Sequence, residues 1–289
     1  MIGWVAVLFL IAASIADLRT GEIPERVSAG FIALVLAVAA LQAAREGSIR
    51  FLTSSVVMGF LFFAFAYLVY RLGQWGGGDV KLMGGIGCAL GLMDALGFHW
   101  PNARIMPYPL SFIVGMGVLS LPYALVYSMI LTAKKPDVLS EFRTYVSEPA
   151  MKALLACAFA PSVAAYFMNY RTLAGLYLSI PAVLSAIIYL KAVEEKTLKK
   201  RMPVSELAEG DVLAEDVVVD GVRIKSEHAI EGLSSAQAEQ IRELAREGKI
   251  PPEVLVKWGL RFAPILLLSF AVTVWVGNLL EMLFLSVVF

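Results

Sequence analysis

Eight stretches of this chain are apolar over lengths close to a bilayer crossing, and this limits the possible fold more than any other feature. A spanning helix rises 1.5 Å per residue and needs about 20 predominantly apolar residues. The runs lie at roughly 1–16, 28–44, 51–70, 80–98, 105–133, 150–168, 172–190 and 262–287. The first is short. The fourth is weakened by its glycines and by Lys81 and Asp94. The fifth is long and holds Pro107, Pro109 and Pro122, which predicts a kink or an interfacial start. Charged residues make up 17% of the chain, against about 25% for a soluble domain. The expected fold class is an all-α polytopic membrane protein with six to eight transmembrane helices. Ser14-Ile15-Ala16 has some character of a signal-peptide cleavage site, but no basic segment precedes the apolar run, so it is read as a span.

Orientation follows from Lys and Arg in short loops. With the N-terminus outside, the inside loops hold eight, namely Arg19, Arg26, Arg71, Lys81, Lys134, Lys135, Arg143 and Lys152. The outside loops hold four, Arg45, Arg50, Arg104 and Arg171. The expectation is a multi-pass cell-membrane protein with both termini outside.

One long polar stretch interrupts the spans, at about 192–258, and the same rule places it in the cytoplasm. Its basic run Lys196-Thr197-Leu198-Lys199-Lys200-Arg201 reads as a positive-inside flank. Val212 to Val219 and Val222 to Lys225, joined around Asp220-Gly221, predict a β-hairpin. Leu233 to Glu247 predicts an amphipathic helix that starts in a capping box, Ser234-Ser235-Ala236-Gln237, and stops at Gly248. The chain therefore divides into a transmembrane core (1–133), a loop with an additional transmembrane hairpin (134–191), a small α+β module (192–258) and a C-terminal transmembrane helix (259–289).

Cys88 and Cys157 lie in apolar runs without a CxxC pair, which excludes a thiolate zinc site from this chain alone and gives no disulfide framework. They read as small packing residues. His99 and His228 fall in polar segments and are expected to be exposed. No pattern calls for a metal, a cofactor or nucleic acid.

Ionisable groups at membrane depth are costly, about 2.5 kcal/mol or more each on insertion scales. Four acids sit in or against the spans: Asp17, Asp79, Asp94 and Glu281. Asp94 and Glu281 are placed near the outer face, the latter as an interfacial residue. Asp17 ends the first span, and Asp79 opens the fourth after Gly76-Gly77-Gly78. Both fall at the cytoplasmic ends of their helices. Gly76 and Gly78 remove side-chain bulk where an extended peptide backbone would approach. Two carboxyls within hydrogen-bonding reach share a proton. In such a dyad one group takes a proton from water while the other polarises a carbonyl. A helix cap, a glycine turn and an interfacial acid explain the same residues one at a time. Chemistry alone leaves the choice open.

The flanking residues resolve it through resemblance. Gly76-Gly77-Gly78-Asp79 with Lys81 resembles the Gly-x-Gly-Asp-x-Lys motif of intramembrane aspartyl proteases. Asp17-Leu18-Arg19-Thr20-Gly21-Glu22-Ile23-Pro24 resembles the first-aspartate motif of type IV prepilin peptidases. The two motifs follow spans one and three, as in that family, and the resemblance covers about residues 1–98. The chain is similar to archaeal prepilin or preflagellin peptidases. That implies an aspartic endopeptidase with Asp17 and Asp79 catalytic and no cofactor. Its partner would be the short basic leader of a pilin or archaellin precursor, cut at the cytoplasmic membrane face. Glu22 and Glu25 are then candidate contacts for the leader. Paired cysteines and an insert near residues 18–27, which many bacterial members carry, are absent, so methyltransferase activity is not expected. Archaeal relatives are typically described with six spans, which makes 150–190 the surplus. The presenilin branch is disfavoured, because Ala16 precedes Asp17 and no Pro-Ala-Leu occurs. The competing reading is a proton- or cation-coupled transporter, which predicts carboxylates spread through the bilayer midplane.

Overall fold

In a computed structural model, each apolar run forms a helix. The structure describes residues 2–72, 75–98, 100–101, 107–133, 135–207, 209–219, 222–225, 232–257, 259–279 and 281–282. The helices in chain order are α1 (Ile2–Thr20), α2 (Glu25–Glu46), α3 (Arg50–Arg71), α4 (Gly77–Ala95), α5 (Tyr108–Thr132), α6 (Pro136–Ser147), α7 (Pro149–Phe167), α8 (Arg171–Val193), α9 (Ser235–Arg246) and α10 (Ala263–Trp275). Among the described residues, α1, α2, α3, α5, α7 and α8 are long and apolar enough to cross a membrane. α5 starts directly after Pro107 and runs through Pro122.

The weak fourth run is the centre of the bundle. Most of α4 is buried, Val80 and then Leu82 to Met93 without a break. A helix surrounded by protein needs no lipid-facing apolar surface, so it tolerates glycine. Its glycines let α3 approach closely. A Cβ on Gly91 would strike the Ser54 carbonyl, and one on Gly87 would strike the Met58 carbonyl. Gly85 faces the fully buried Phe31 ring of α2. Small residues that bring helix backbones together drive packing in lipid, where the hydrophobic effect between helices is absent. The core then extends through Ala6, Leu10 and Ala13 of α1, Phe112 of α5, and Leu266 and Phe270 of α10.

α1 and α10 lie against each other in opposite directions. Trp4 meets Trp275 at one end, with ring centroids 5.0 Å apart. Asp17 meets Ala263 at the other. Outside this bundle, α7 and α8 form a hairpin with largely exposed apolar faces. α6, an amphipathic helix not anticipated from sequence, packs on α8 through Val138 and Phe142. Glu141 pairs with Lys196 at 3.1 Å.

The polar stretch is a small α+β unit. Three strands, β1 (Lys199–Pro203), β2 (Val212–Leu213) and β5 (Glu253–Lys257), form an antiparallel sheet in the order β1-β5-β2. β3 (Val217–Val219) pairs with β4 (Val222–Lys225). α9 starts at Ser234, whose hydroxyl accepts from Gln237 N–H while the Gln237 side chain accepts from Ser234 N–H. It ends before Gly248 at φ +72°, so the predicted capping box and stop are both present.

Several expectations are corrected. The hairpin is shorter than predicted, because Val212 and Leu213 pair with β5 instead. The strand leaves that ladder at Glu215, whose carboxylate accepts Leu255 N–H at 2.7 Å in place of a backbone carbonyl. The basic run is part strand: Lys199 to Arg201 pair with Leu255 to Lys257. Glu281 is buried rather than interfacial, at 5% exposure, and accepts from the Asn278 amide at 3.0 Å. Cys88 is buried as expected for a packing residue, but Cys157 is exposed. His99, His228, Arg104, Lys134 and the Asp220-Gly221 turn lie outside the described residues.

Candidate active site

The first aspartate sits in the last turn of α1, 6% exposed. Asp17 Oδ2 accepts the backbone N–H of Ala263 at 3.0 Å. Ala263 opens α10, and the first N–H groups of a helix have no partner within it. The positive end of the helix dipole also favours an anion there. Asp17 thus caps a helix 246 residues away in sequence. The charge of Arg261 also acts on it. The Arg261 guanidinium lies against Gly21, where a Cβ would overlap it. Gly21 is at φ +82°, a conformation that glycine adopts without steric cost. The Arg261 carbonyl accepts from Tyr123 Oη at 2.8 Å.

The second aspartate is the third residue of α4. Asp79 Oδ2 accepts the N–H of Gly76 at 3.1 Å. This is the half of a capping box that a glycine N-cap can make. The loop before it is fixed by Trp75, whose ring packs on Phe262 with centroids 4.8 Å apart and edge-on to Phe65 at 6.1 Å. Trp75 and Phe262 each lie beside the residue that holds one aspartate. The same aromatic contact therefore joins the two seats.

Between them is a cleft of about 280 Å³ lined by Asp17, Gly21, Glu22, Ile23, Gly76, Gly77, Gly78 and Asp79. The two carboxylates interact electrostatically across it. Among the described residues, a Cβ on Gly76 would meet only the Asp79 carboxyl, and one on Gly77 nothing within 4 Å. Backbone there is open to a visiting chain. Gly78 has a different reason: a Cβ would lie 3.0 Å from Ile23 Cβ, so its absence seats the loop that follows α1. Glu22 is exposed at the rim. Glu25 is ion-paired with Lys81, which links the motif lysine to the start of α2. Asp94 is at the opposite end of α4, where its carboxylate accepts from Trp100 Nε1 at 3.2 Å.

Arg261, Phe262 and Ala263, with Trp75 and Tyr123, were not anticipated from sequence. Arg261 has the position of an ordinary basic flank before the last apolar run. Ala263 contributes only its backbone. Of these, only Trp75, adjoining the Gly-x-Gly-Asp motif, lay close to a local signal.

Comparison with known proteins bears on the same segment. Residues 4–134 match the profile of the type IV leader peptidase family. The chain is 22% identical to the prepilin peptidase EppA of Methanothermobacter thermautotrophicus, over 97% of this chain and 95% of that one. It is 28% identical to the prepilin peptidase EppA of Methanocaldococcus jannaschii, over 39% of this chain and 41% of that one. No solved structure matches. The matched segment contains Asp17 and Asp79 and stops well short of Arg261, Phe262 and Ala263.

Proposed function

We propose that this chain, whose residues 4–134 match the type IV leader peptidase family, is a membrane protease that removes the basic N-terminal leader of pilin-like or archaellin precursors with Asp17 and Asp79. One observation carries this reading. The last turn of α1 and the first turn of α4 bring both carboxylates to a single cleft. The reaction is hydrolysis by a shared-proton dyad. The ionised carboxylate takes a proton from water as the water oxygen bonds to the scissile carbonyl carbon. The protonated partner donates to the carbonyl oxygen. Collapse of the tetrahedral adduct breaks the C–N bond, and the amine leaves with a proton from the dyad. The pair acts as a unit, so neither role is assigned to one residue.

The cleft lies at the end of the bundle, where a substrate helix in lipid meets a polar leader. The excess of Lys and Arg in the loops at that end supports a cytoplasmic side for it. Glu22 at the rim is suited to a leader cation, and Glu25 acts through its pairing with Lys81. With no paired cysteines, the chain is read as a peptidase without methyltransferase activity. The transporter reading needs acids along a path through the bilayer. Asp17 and Asp79 share one end of the bundle, and Asp94 is a helix length away.

A direct test uses the purified full chain in proteoliposomes and a synthetic precursor, a short basic leader joined to an apolar helix of about 20 residues. Mass spectrometry after incubation with S-adenosylmethionine is expected to find cleavage at the polar–apolar junction and an unmethylated new N-terminus. An intact peptide would count against the peptidase reading, and a methylated product against the second half of the proposal.

A further inference from the structure

The family match ends at residue 134, yet the Asp17 carboxylate accepts a hydrogen bond from the backbone N–H of residue 263. We propose that the segment Arg261-Phe262-Ala263, where the chain returns from the soluble module into the bundle, is a positioning element that sets Asp17 for catalysis. The proposal rests on the reading of Asp17 and Asp79 as the dyad.

Three contacts carry it. Ala263 N–H holds Oδ2 of Asp17, a residue that lines the cleft. Phe262 packs on Trp75, one residue before the Gly76 that holds Asp79, so displacement of one seat is felt by the other. The Arg261 guanidinium fills the space that Gly21 leaves open, and its carbonyl is fixed by Tyr123. α10 is itself pinned at its far end, through Trp275 on Trp4 of α1. A carboxyl at a helix end has two free torsions. A dyad works only if its groups keep their relative placement, and a 1 Å error can cost about a hundredfold in rate. The α10 N-terminus supplies that constraint. It is delivered by β5, the central strand of the module's sheet, through a short connection.

These residues act on Asp17, Gly21 or Trp75 rather than on the reacting bond. Their loss is therefore expected in kcat and not in KM. With the full chain in proteoliposomes and the synthetic precursor peptide, Phe262→Ala and Arg261→Ala are expected to lower kcat about tenfold or more while KM stays within about twofold. Phe262→Tyr and Arg261→Lys are expected to recover at least about half of the wild-type kcat, since ring and charge are retained. Wild-type kcat in both alanine variants, or a change in KM alone, overturns the proposal. Where an alanine variant does not fold, Tyr123→Phe replaces it, since it removes a single hydroxyl. A kcat drop of about threefold or more then supports the proposal, and an unchanged kcat overturns it. Asp17→Asn in the same assay separates the two claims. If it cleaves at the wild-type rate, the dyad reading fails. If it is inactive while the 261 and 262 variants are normal, only the positioning role fails.

Discussion

α4 and the α7–α8 hairpin occupy the same kind of environment by sequence, and the structure uses them in opposite ways. α4 carries Asp79, Lys81 and Asp94 among many glycines, and it is the most buried helix of the bundle. α7 and α8 are smoothly apolar, yet Phe167 is 82% and Leu176 64% exposed. In lipid, hydropathy reports which surface faces the acyl chains. It does not report which helix forms the core. A helix packed by protein on every side is held by shape, through the close approaches of Gly87 and Gly91 to α3.

That contrast can be broken or sharpened by measurement. The largest effect is expected at Phe31, fully buried against Gly85. Phe31→Ala should cost about 3–5 kcal/mol of unfolding free energy, because it opens a cavity in a packed core. Gly91→Leu should follow at about 3 kcal/mol, since its side chain meets the Ser54 backbone and neither helix can yield cheaply. In the hairpin, Ser162→Ala removes the 2.7 Å bond from its hydroxyl to the Ala174 carbonyl that ties α7 to α8. It should cost only about 0.6 kcal/mol, as interhelical hydrogen bonds in membranes usually do. Leu176→Ala, on the lipid face, should fall within about 0.5 kcal/mol of wild type. Reversible unfolding in mixed micelles reads all four. The comparison fails if the hairpin substitutions cost as much as those around α4.

The same physics explains what the sequence could and could not say. Run length and apolarity marked the helices, since each must satisfy its own backbone in lipid. The Ser234 capping box and Gly248 stop were legible because both signals are local. Asp17 and Asp79 stood out because a charge at membrane depth needs a reason, and the structure brings both to one cleft. Their flanking motifs supplied that reason. The role of α4 was not legible, because burial by neighbouring helices leaves a weak signal on a hydropathy scale. Glu281 was misplaced for a related reason: its partner Asn278 is next to it, but the helices that bury both are not. The third part of the site was hidden by distance. Ala263 reaches Asp17 across 246 positions and does so with backbone, which has no residue-type signature. Gly78 was assigned to substrate approach, whereas the space it leaves is taken by Ile23.

The central claim is that Asp17 and Asp79 work as one catalytic unit in the cleft they share. The most direct measurement is the cleavage rate of the precursor by wild type, Asp17→Asn, Asp79→Asn and the double variant, each shown to be folded. A unit predicts that either single substitution lowers the rate by at least about a thousandfold. It also predicts that the double variant is no slower than the singles within about threefold. A single variant that cleaves at the wild-type rate, or two modest losses that simply multiply in the double variant, would contradict it.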